Sequence, residues 1–258
     1  MIPEVVRPVR AAWSKTLEGD GTARVEKVVV DSKDDVVVIE TFTGSVACDG
    51  TLLKSAGESD IFLLKLDRDG RLLWGQRFGA SAEDRGRSVA VDADDNIAVT
   101  GFFSREIDFG AGALASTADN SVFVAKFTGA GEPLWSQAFG SELYHSGADI
   151  AFGGSGDVYV TGDFVVSADF GGGLLTSAGS SDIFLARFDA GGAHLFSRAF
   201  GDAELQQARG LAVTSAGELL LLGAFQGVLD FSGIALTGAL DMQQPMFVAK
   251  LDADMNPI

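Results

Sequence analysis

Two histidines and one cysteine are the only imidazole and thiol side chains among the 258 residues, so the reactive groups are mostly carboxylates, hydroxyls and amides. His145 has an acid and a phenol nearby, Glu142 and Tyr144, and could act there as a general base. The alternative for a single loop histidine is a plain surface residue. Cys48 is expected to be a small buried apolar residue rather than a nucleophile. One cysteine and two histidines are too few for a structural zinc site.

Known catalytic motifs and overall charge narrow the choice of chemistry further. The sequence contains no Gly-x-Gly-x-x-Gly, Gly-Lys-Ser/Thr, His-Glu-x-x-His or Gly-x-Ser-x-Gly motif. Its formal net charge of −17 repels phosphate backbones and anionic lipid, so no nucleic-acid partner is expected. No run of 18 uncharged apolar residues predicts a membrane-inserted helix, and the opening residues lack a signal-peptide pattern. The chain therefore either stays inside the cell or is a processed form of an exported protein.

The elements that must position any site come from an internal repeat. Trp13, Trp74 and Trp135 are spaced by 61 residues, and the next step falls on Phe196. Other positions keep the same step, including a glycine at 79, 140 and 201. We therefore expect one domain over residues 1–258, made of four repeats at about 12–72, 73–133, 134–194 and 195–258. The last copy slips by two residues, which indicates an insertion within Asp241 to Pro245.

Within one repeat the apolar residues follow a period of two or form short continuous runs, which predicts an all-β unit. In the second copy the runs are Ser88 to Val91, Ile97 to Phe103, Val122 to Phe127 and Leu134 to Phe139, and we call these strands A, B, C and D. Short Asp- and Gly-rich turns join A to B and C to D, as tight hairpins require. The long B to C connection is expected to hold a short extra strand around Asp108 and Phe109. Four antiparallel strands per repeat predict the blades of a β-propeller.

The acidic turn between strands A and B could supply hard oxygen ligands to calcium, which needs six to eight of them. The candidates are Asp92, Asp94 and Asp95. Other copies of this turn carry Gly153-Gly154-Ser155-Gly156 or Thr214-Ser215-Ala216-Gly217, so a metal needed by every blade is not expected. We expect no cofactor and solvated hairpin turns, with calcium at the three aspartates as the alternative.

The two ends of the repeat array suggest how the blades close. The chain begins with a lone D-type strand, Ala11 to Lys15, and its last C-type strand is Met246 to Lys250. Joining the first strand to the last blade would complete a fourth four-stranded sheet and remove two exposed edges. We predict a four-bladed propeller closed in this way. The alternatives are an open solenoid, or an oligomer in which the first strand completes the last blade of another chain.

The stretch from Asp60 to Gly101 carries the consensus of the whole chain: Asp-Ile-Phe-Leu-x-Lys-Leu-Asp, then Phe-Gly, then Val-Ala-Val-Asp-x-x-x-Asn-Ile-x-Val-Thr-Gly. This pattern resembles the bacterial β-propeller repeats called SBBP repeats, and related matches cover nearly the whole chain. The resemblance implies a binding or scaffold module without shared catalytic residues. It also implies an extracellular or cell-surface location in a bacterium, with a cytoplasmic location as the alternative, and rings of more than four blades.

Positions that diverge between copies are free to take a specific role, and the loops from strand D to the next strand A diverge most. We predict that these loops form a binding rim for a protein or a carbohydrate, because ligands bind at loop-built surfaces on rigid scaffolds. The alternative is drift of unselected loops. The function predicted first is a non-enzymatic binding module, then an assembly module that joins chains by exchange of terminal strands, and last a hydrolase or lyase with axial carboxylates. The predicted rim residues are Glu83, Asp84, Arg85, Glu142, Tyr144, His145, Gln206 and Gln207.

Overall fold

The computed structural model describes residues 13–116, 119–140, 143–238 and 244–258, and every regular element in these ranges is a β-strand. It contains, over the same ranges, no helix long and apolar enough to cross a membrane. In chain order the strands are β1 (Ala23–Val30), β2 (Val36–Phe42), β3 (Ser45–Cys48), β4 (Thr51–Lys54), β5 (Asp60–Leu66), β6 (Leu72–Phe78), β7 (Asp84–Val91), β8 (Ile97–Phe103), β9 (Glu106–Asp108), β10 (Ala113–Ala115), β11 (Ser121–Phe127) and β12 (Pro133–Phe139). They continue with β13 (His145–Phe152), β14 (Val158–Phe164), β15 (Ser167–Asp169), β16 (Leu174–Thr176), β17 (Asp182–Phe188), β18 (His194–Phe200), β19 (Gln206–Val213), β20 (Leu219–Phe225), β21 (Val228–Asp230), β22 (Ala235–Thr237) and β23 (Met246–Leu251).

Four antiparallel sheets follow one another along the chain, which confirms the predicted all-β repeat. Sheet 1 has the order β1-β2-β5-β6, sheet 2 has β7-β8-β11-β12, sheet 3 has β13-β14-β17-β18 and sheet 4 has β19-β20-β23. Each B to C connection also holds a two-stranded hairpin: β3-β4, β9-β10, β15-β16 or β21-β22. The predicted extra strand near Asp108 is therefore present, and it is paired with a second short strand that the sequence analysis did not predict.

The turns between strands are built by aspartate side chains and by residues with positive φ. In the β5–β6 turn Asp67 accepts hydrogen bonds from the backbone N–H of Asp69 and Arg71, at 2.9 and 2.8 Å, and Gly70 has a φ of +81°. Asp92 makes the same two contacts in the β7–β8 turn. The aspartate side chain thus serves as the acceptor for two backbone N–H groups of its own turn.

Apolar side chains fill both faces of sheets 2 and 3. Phe123 and Ala125 of β11 point into the core shared with sheet 1, whereas Val122 and Val124 point into the core shared with sheet 3. Three of the four extra hairpins anchor the cores through one phenylalanine each, and in the β3–β4 hairpin the buried Cys48 holds the equivalent position. Phe109 packs 5.0 Å from Phe78 and 4.8 Å from Phe123, and Phe170 and Phe231 make the equivalent contacts in sheets 3 and 4.

A repeated set of hydrogen bonds joins each sheet to the next. Each runs from a side chain of a D-type strand to a backbone carbonyl 55 residues later, in the C–D turn of the following sheet. The bonds are Trp74 to Gly129 (3.3 Å), Gln76 to Gly131 (2.9 Å), Trp135 to Ala190 (3.1 Å) and Gln137 to Gly192 (2.6 Å). Trp13 to Arg68 (3.0 Å) and Lys15 to Gly70 (2.5 Å) repeat them on sheet 1. The segment from Trp13 to Lys15 therefore lies against sheet 1 as the outer strand of a preceding sheet would.

The predicted closure of the last sheet by the first strand is wrong for the described part of that strand. Sheet 4 has three strands, and Trp13 to Lys15 do not pair with β23. Met246 is 87% exposed and Val248 74%, whereas their counterparts Ile183 and Leu185 are fully buried by sheet 4. The physical reason is that the face of sheet 4 that sheet 1 would have to cover remains open to solvent, so sheet 4 does not reach Trp13 and Lys15, which lie on the β5–β6 turn of sheet 1. Ala11 and Ala12 of the predicted strand lie outside the described residues, as do Asp241 to Gln243 of the predicted insertion.

Candidate functional site

The first strands of the four sheets each contain one β-bulge at the same repeat position. The pairing register shifts between Val25 and Lys27, and again at the equivalent places in β7, β13 and β19. A bulge leaves one residue outside the ladder and redirects its side chain, which is why bulges recur beside binding sites. The bulged residues are Glu26, Arg87, Ala148 and Arg209.

All four bulged residues line one central pocket of about 450 Å³. The pocket lies where β1, β7, β13 and β19 begin, on the rim that carries the D to A loops. Its walls are strongly polar and include three arginines and two acids. The lining residues used below are Arg24, Glu26, Arg87, Tyr144, Asp163, Gln207 and Arg209.

Asp163 is the most buried charged group of this pocket, with 8% of its surface exposed. It accepts a hydrogen bond at 3.0 Å from the backbone N–H of Ala208 on the neighbouring sheet. Burial raises the pKa of this carboxyl to about 6, and the backbone hydrogen bond and the charges of Arg209 and Arg87 only partly oppose the shift. Asp163 thus changes charge close to neutral pH.

The arginines of the pocket are held in different ways. The guanidinium of Arg87 lies 5.6 Å from the centre of the Phe102 ring, a cation–π contact that fixes its position. Arg209 donates to the side-chain oxygen of Gln207 at 2.6 Å, and Arg24 forms an ion pair with Glu26 at 3.3 Å. Within the described ranges Arg87 has no hydrogen bond to an anion, so its donors face the pocket unpaired.

Asp149, one residue beyond the bulge in β13, joins all four sheets. Its carboxylate accepts hydrogen bonds from Lys27 of sheet 1 (2.8 Å), from the Ser88 hydroxyl of sheet 2 (2.5 Å) and from the backbone N–H of Leu211 of sheet 4 (2.8 Å). The residue is only 6% exposed. Because a buried carboxylate is stable only when its oxygens are paired, Asp149 fixes the four first strands relative to one another.

Three of the predicted rim residues are buried and cannot meet a ligand at the surface. Asp84, His145 and Gln206 occupy the same repeat position, the first residue of β7, β13 and β19, and each is 0% exposed. The His145 ring lies 2.8 Å from the carbonyls of both Leu143 and Ser167, one at each ring nitrogen. The alternative that His145 is a plain surface residue is therefore wrong, and the general-base hypothesis gains no support, because both ring nitrogens join loop backbone.

Asp84 has an equally structural environment. It accepts hydrogen bonds from the backbone N–H of Ala80 (2.9 Å) and Ser104 (3.3 Å). Burial raises its pKa to about 7, and the nearby charge of Asp60 adds to the effect. In the fourth repeat the uncharged Gln206 takes this position, accepting from the backbone N–H of Asp202 and donating to the carbonyl of Gln226.

The other predicted rim residues are partly or fully accessible. Tyr144, 40% exposed, packs 5.8 Å from Phe102 and lines the central pocket, as does Gln207. Glu83 and Arg85 pair with each other at 2.6 Å, and Arg85 lines a smaller neighbouring pocket of about 160 Å³. Glu142 lies outside the described residues.

Sequence reasoning missed Arg24, Glu26, Arg87, Asp163 and Arg209. A signal was available, because the bulge position reads Glu26, Arg87, Ala148 and Arg209 in the four copies, which is as divergent as the loops. Asp163 also breaks its repeat position, where the other copies have Thr41, Phe102 and Ala224.

Two of the three aspartates considered for calcium, Asp92 and Asp95, are engaged by the protein. Asp92 accepts from two backbone N–H groups of its own turn, and Asp95 accepts from Ser32 and Lys33 of sheet 1. These contacts lower the pKa of Asp95 to about 2. Over the described ranges no group of three or more His, Cys, Asp or Glu side chains is arranged to hold a metal. The calcium hypothesis gains no support from this geometry.

No protein-family model matches this chain. It is similar to the regulatory protein FlaEY of Caulobacter vibrioides, with 29% identity over 215 residues. The match covers 78% of this chain and 22% of that protein, so the chain spans about a fifth of the length of the curated relative.

Proposed function

We propose that this chain is a non-enzymatic binding module, built as a partial β-propeller, and that a protein or carbohydrate ligand enters the central pocket. The observation that carries the proposal is the coincidence of four bulges, one per sheet, around a single polar cavity. Packing of the repeats against one another does not require an arginine at the bulge position, where Arg87 and Arg209 stand. A ligand site, in contrast, uses such charged donors.

The test is a glycan array and a peptide array probed with the wild-type protein and with the double variant Arg87→Ala, Arg209→Ala. We expect at least a tenfold loss of binding in the double variant, since hydrogen bonds to charged groups are the strong contacts of such sites. Arg71→Ala, an exposed arginine on the β5–β6 turn away from the pocket, is the matched control and should bind normally. Equal binding by all three proteins would refute the pocket, and release of a cleaved product would refute the non-enzymatic part.

The second candidate function is assembly of chains, and one specific observation favours it. Trp13 to Lys15 lie against sheet 1 like the outer strand of a preceding sheet, while sheet 4 has three strands within the described residues. A second copy of the chain would fit both ends. This candidate is compatible with the first, because the central pocket and the open ends are different surfaces.

A further inference from the structure

We propose that the central pocket binds the carboxylate of an acidic sugar, a hexuronic acid, between Arg87 and Arg209. The inference rests on the proposed function and names the ligand class of the same site. It follows from the balance of charge in the pocket, from the unpaired donors of Arg87 and from the polar groups around them.

The first step is the local charge. Arg24 and Glu26 form an ion pair and cancel, which leaves Arg87 and Arg209 against the single carboxylate of Asp163. The pocket therefore carries at least one net positive charge on a chain whose formal net charge is −17. An anion is attracted to this pocket and repelled by most of the remaining surface, which favours one acidic unit over a long acidic polymer.

The second step is the geometry of recognition. A guanidinium presents parallel N–H donors that match the two oxygens of a carboxylate. Arg87 is restrained by its contact with Phe102, so little side-chain freedom is lost when an anion binds. Arg209 keeps further donors beyond its hydrogen bond to Gln207.

The third step distinguishes a sugar from an acidic peptide side chain. Sugar hydroxyls need acceptors as well as donors, and the pocket offers acceptors: Asp163 uses only one of its oxygens, for the Ala208 N–H. Tyr144 adds a half-exposed aromatic ring at the wall, against which the apolar face of a sugar ring can pack. A cavity of about 450 Å³ has room for a monosaccharide.

The fourth step is a dependence on pH. Asp163 faces Arg87 on β7 and Arg209 on β19, with the Arg24–Glu26 pair of β1 and Tyr144 in the same pocket. When the Asp163 carboxylate takes up a proton, one negative charge disappears beside the bound anion. Affinity for a sugar carboxylate, which stays ionised well below pH 6, should therefore rise as the pH falls through about 6.

The experiment is calorimetric titration of the full chain with methyl glucuronide and methyl galacturonide at pH 7.5 and pH 5.5. We expect binding of at least one of them, roughly threefold to tenfold tighter at the lower pH. Methyl glucoside and methyl galactoside, which lack the carboxylate, should bind at least tenfold more weakly. Asp163→Asn should bind as tightly at pH 7.5 as the wild type does at pH 5.5, and should lose the pH dependence.

Two further arms make the proposal falsifiable. Arg87→Lys keeps the charge but loses the paired donors, so weakening of uronate binding in this variant supports the geometry, and unchanged affinity overturns it. Acetyl-glutamate amide carries the same carboxylate on a peptide unit; tighter binding of this probe than of both uronides would overturn the sugar assignment. Equal affinity for uronides and neutral glycosides would overturn the carboxylate assignment. In that case, loss of binding of both ligand classes in the double variant Arg87→Ala, Arg209→Ala would still identify the pocket as the binding site.

Discussion

One residue position, the first residue of the first strand in sheets 2, 3 and 4, shows how a repeat can vary without changing its fold. Asp84, His145 and Gln206 are equally buried there, yet each joins its loop by different hydrogen bonds. Only the aspartate can become charged inside the protein as the pH rises, because burial raises its pKa to about 7. In the second repeat this position therefore contributes a dependence of stability on pH through Asp84.

The sign of that dependence follows from the two pKa values. An unfolded aspartate titrates near 4, so between about pH 4 and 7 the folded protein binds more protons than the unfolded chain. The free energy of unfolding falls as the pH rises through this window. Asp84→Gln, which copies the residue of the fourth repeat, should be more stable than wild type at pH 8, by an amount on the order of 2 kcal/mol, and should gain little at pH 4.

Urea unfolding at the two pH values measures this difference. Gln206→Glu is the reciprocal control and should lose stability at pH 8 relative to pH 4. A gain in Asp84→Gln that is the same at both pH values would show that packing, and not the charge of Asp84, is responsible.

At the scale of elements, strand periodicity was predictable and the bulges were not. The predicted strand B, Ile97 to Phe103, matches β8 at both ends, because its seven residues are all buried. Predicted strand A starts at Ser88, but β7 starts four residues earlier at Asp84. The bulge at Arg87 interrupts the period of two, and a buried aspartate carries no apolar signal, so the sequence pattern does not distinguish the first half of β7 from a loop.

The shape of the pocket depends on how the four first strands are held together, and Asp149 is the residue that holds them together. Asp149→Asn keeps the side-chain volume, but its N–H₂ group would face a donor from which the wild-type carboxylate accepts a hydrogen bond. We expect a loss of about 2–3 kcal/mol in the free energy of unfolding, the usual cost of leaving buried polar groups unpaired.

The matched control is Lys27→Met, which removes a single partly exposed ion-pair partner of Asp149 and should cost about 1 kcal/mol or less. Hydrogen exchange in β1 and β19 should accelerate in Asp149→Asn and remain near wild type in Lys27→Met. If both variants lose the same small amount of stability, the carboxylate does not hold the four strands together.

At the scale of the whole molecule, the two ends of the sheet array are complementary. Leu251 of β23 pairs with Pro257 as Leu66 pairs with Leu72 in sheet 1, so residues 257–258 begin the outer strand of sheet 4. The repeat register then places Trp13 at the position that follows Ile258, as Trp74 follows Leu73. Trp13 and the residues after it therefore have the sequence and the register that this outer strand needs.

The exposed face of sheet 4 gives the apolar part of the same interface. Leu220, Leu222, Met246 and Val248 are between 37 and 87% exposed, and fully burying a side chain of this size contributes about 1.5–3 kcal/mol. Sequence periodicity predicted the repeats and the strand types at each end. It could not predict whether four sheets close, since the angle between sheets depends on the side chains packed between them.

We expect that copies associate head to tail, the segment around Trp13 of one copy completing sheet 4 of the next. Light scattering over a range of concentrations should give a mass that rises above 26.9 kDa. Removal of residues 1–18, or the pair Met246→Asp and Val248→Asp, should return the mass to that of one chain, because either change deletes one half of the interface. Leu174→Asp alters an equally exposed side chain on the β15–β16 hairpin and should leave association unchanged. A wild-type protein that stays monomeric at the highest concentration would contradict assembly and leave the central pocket as the working surface of the molecule.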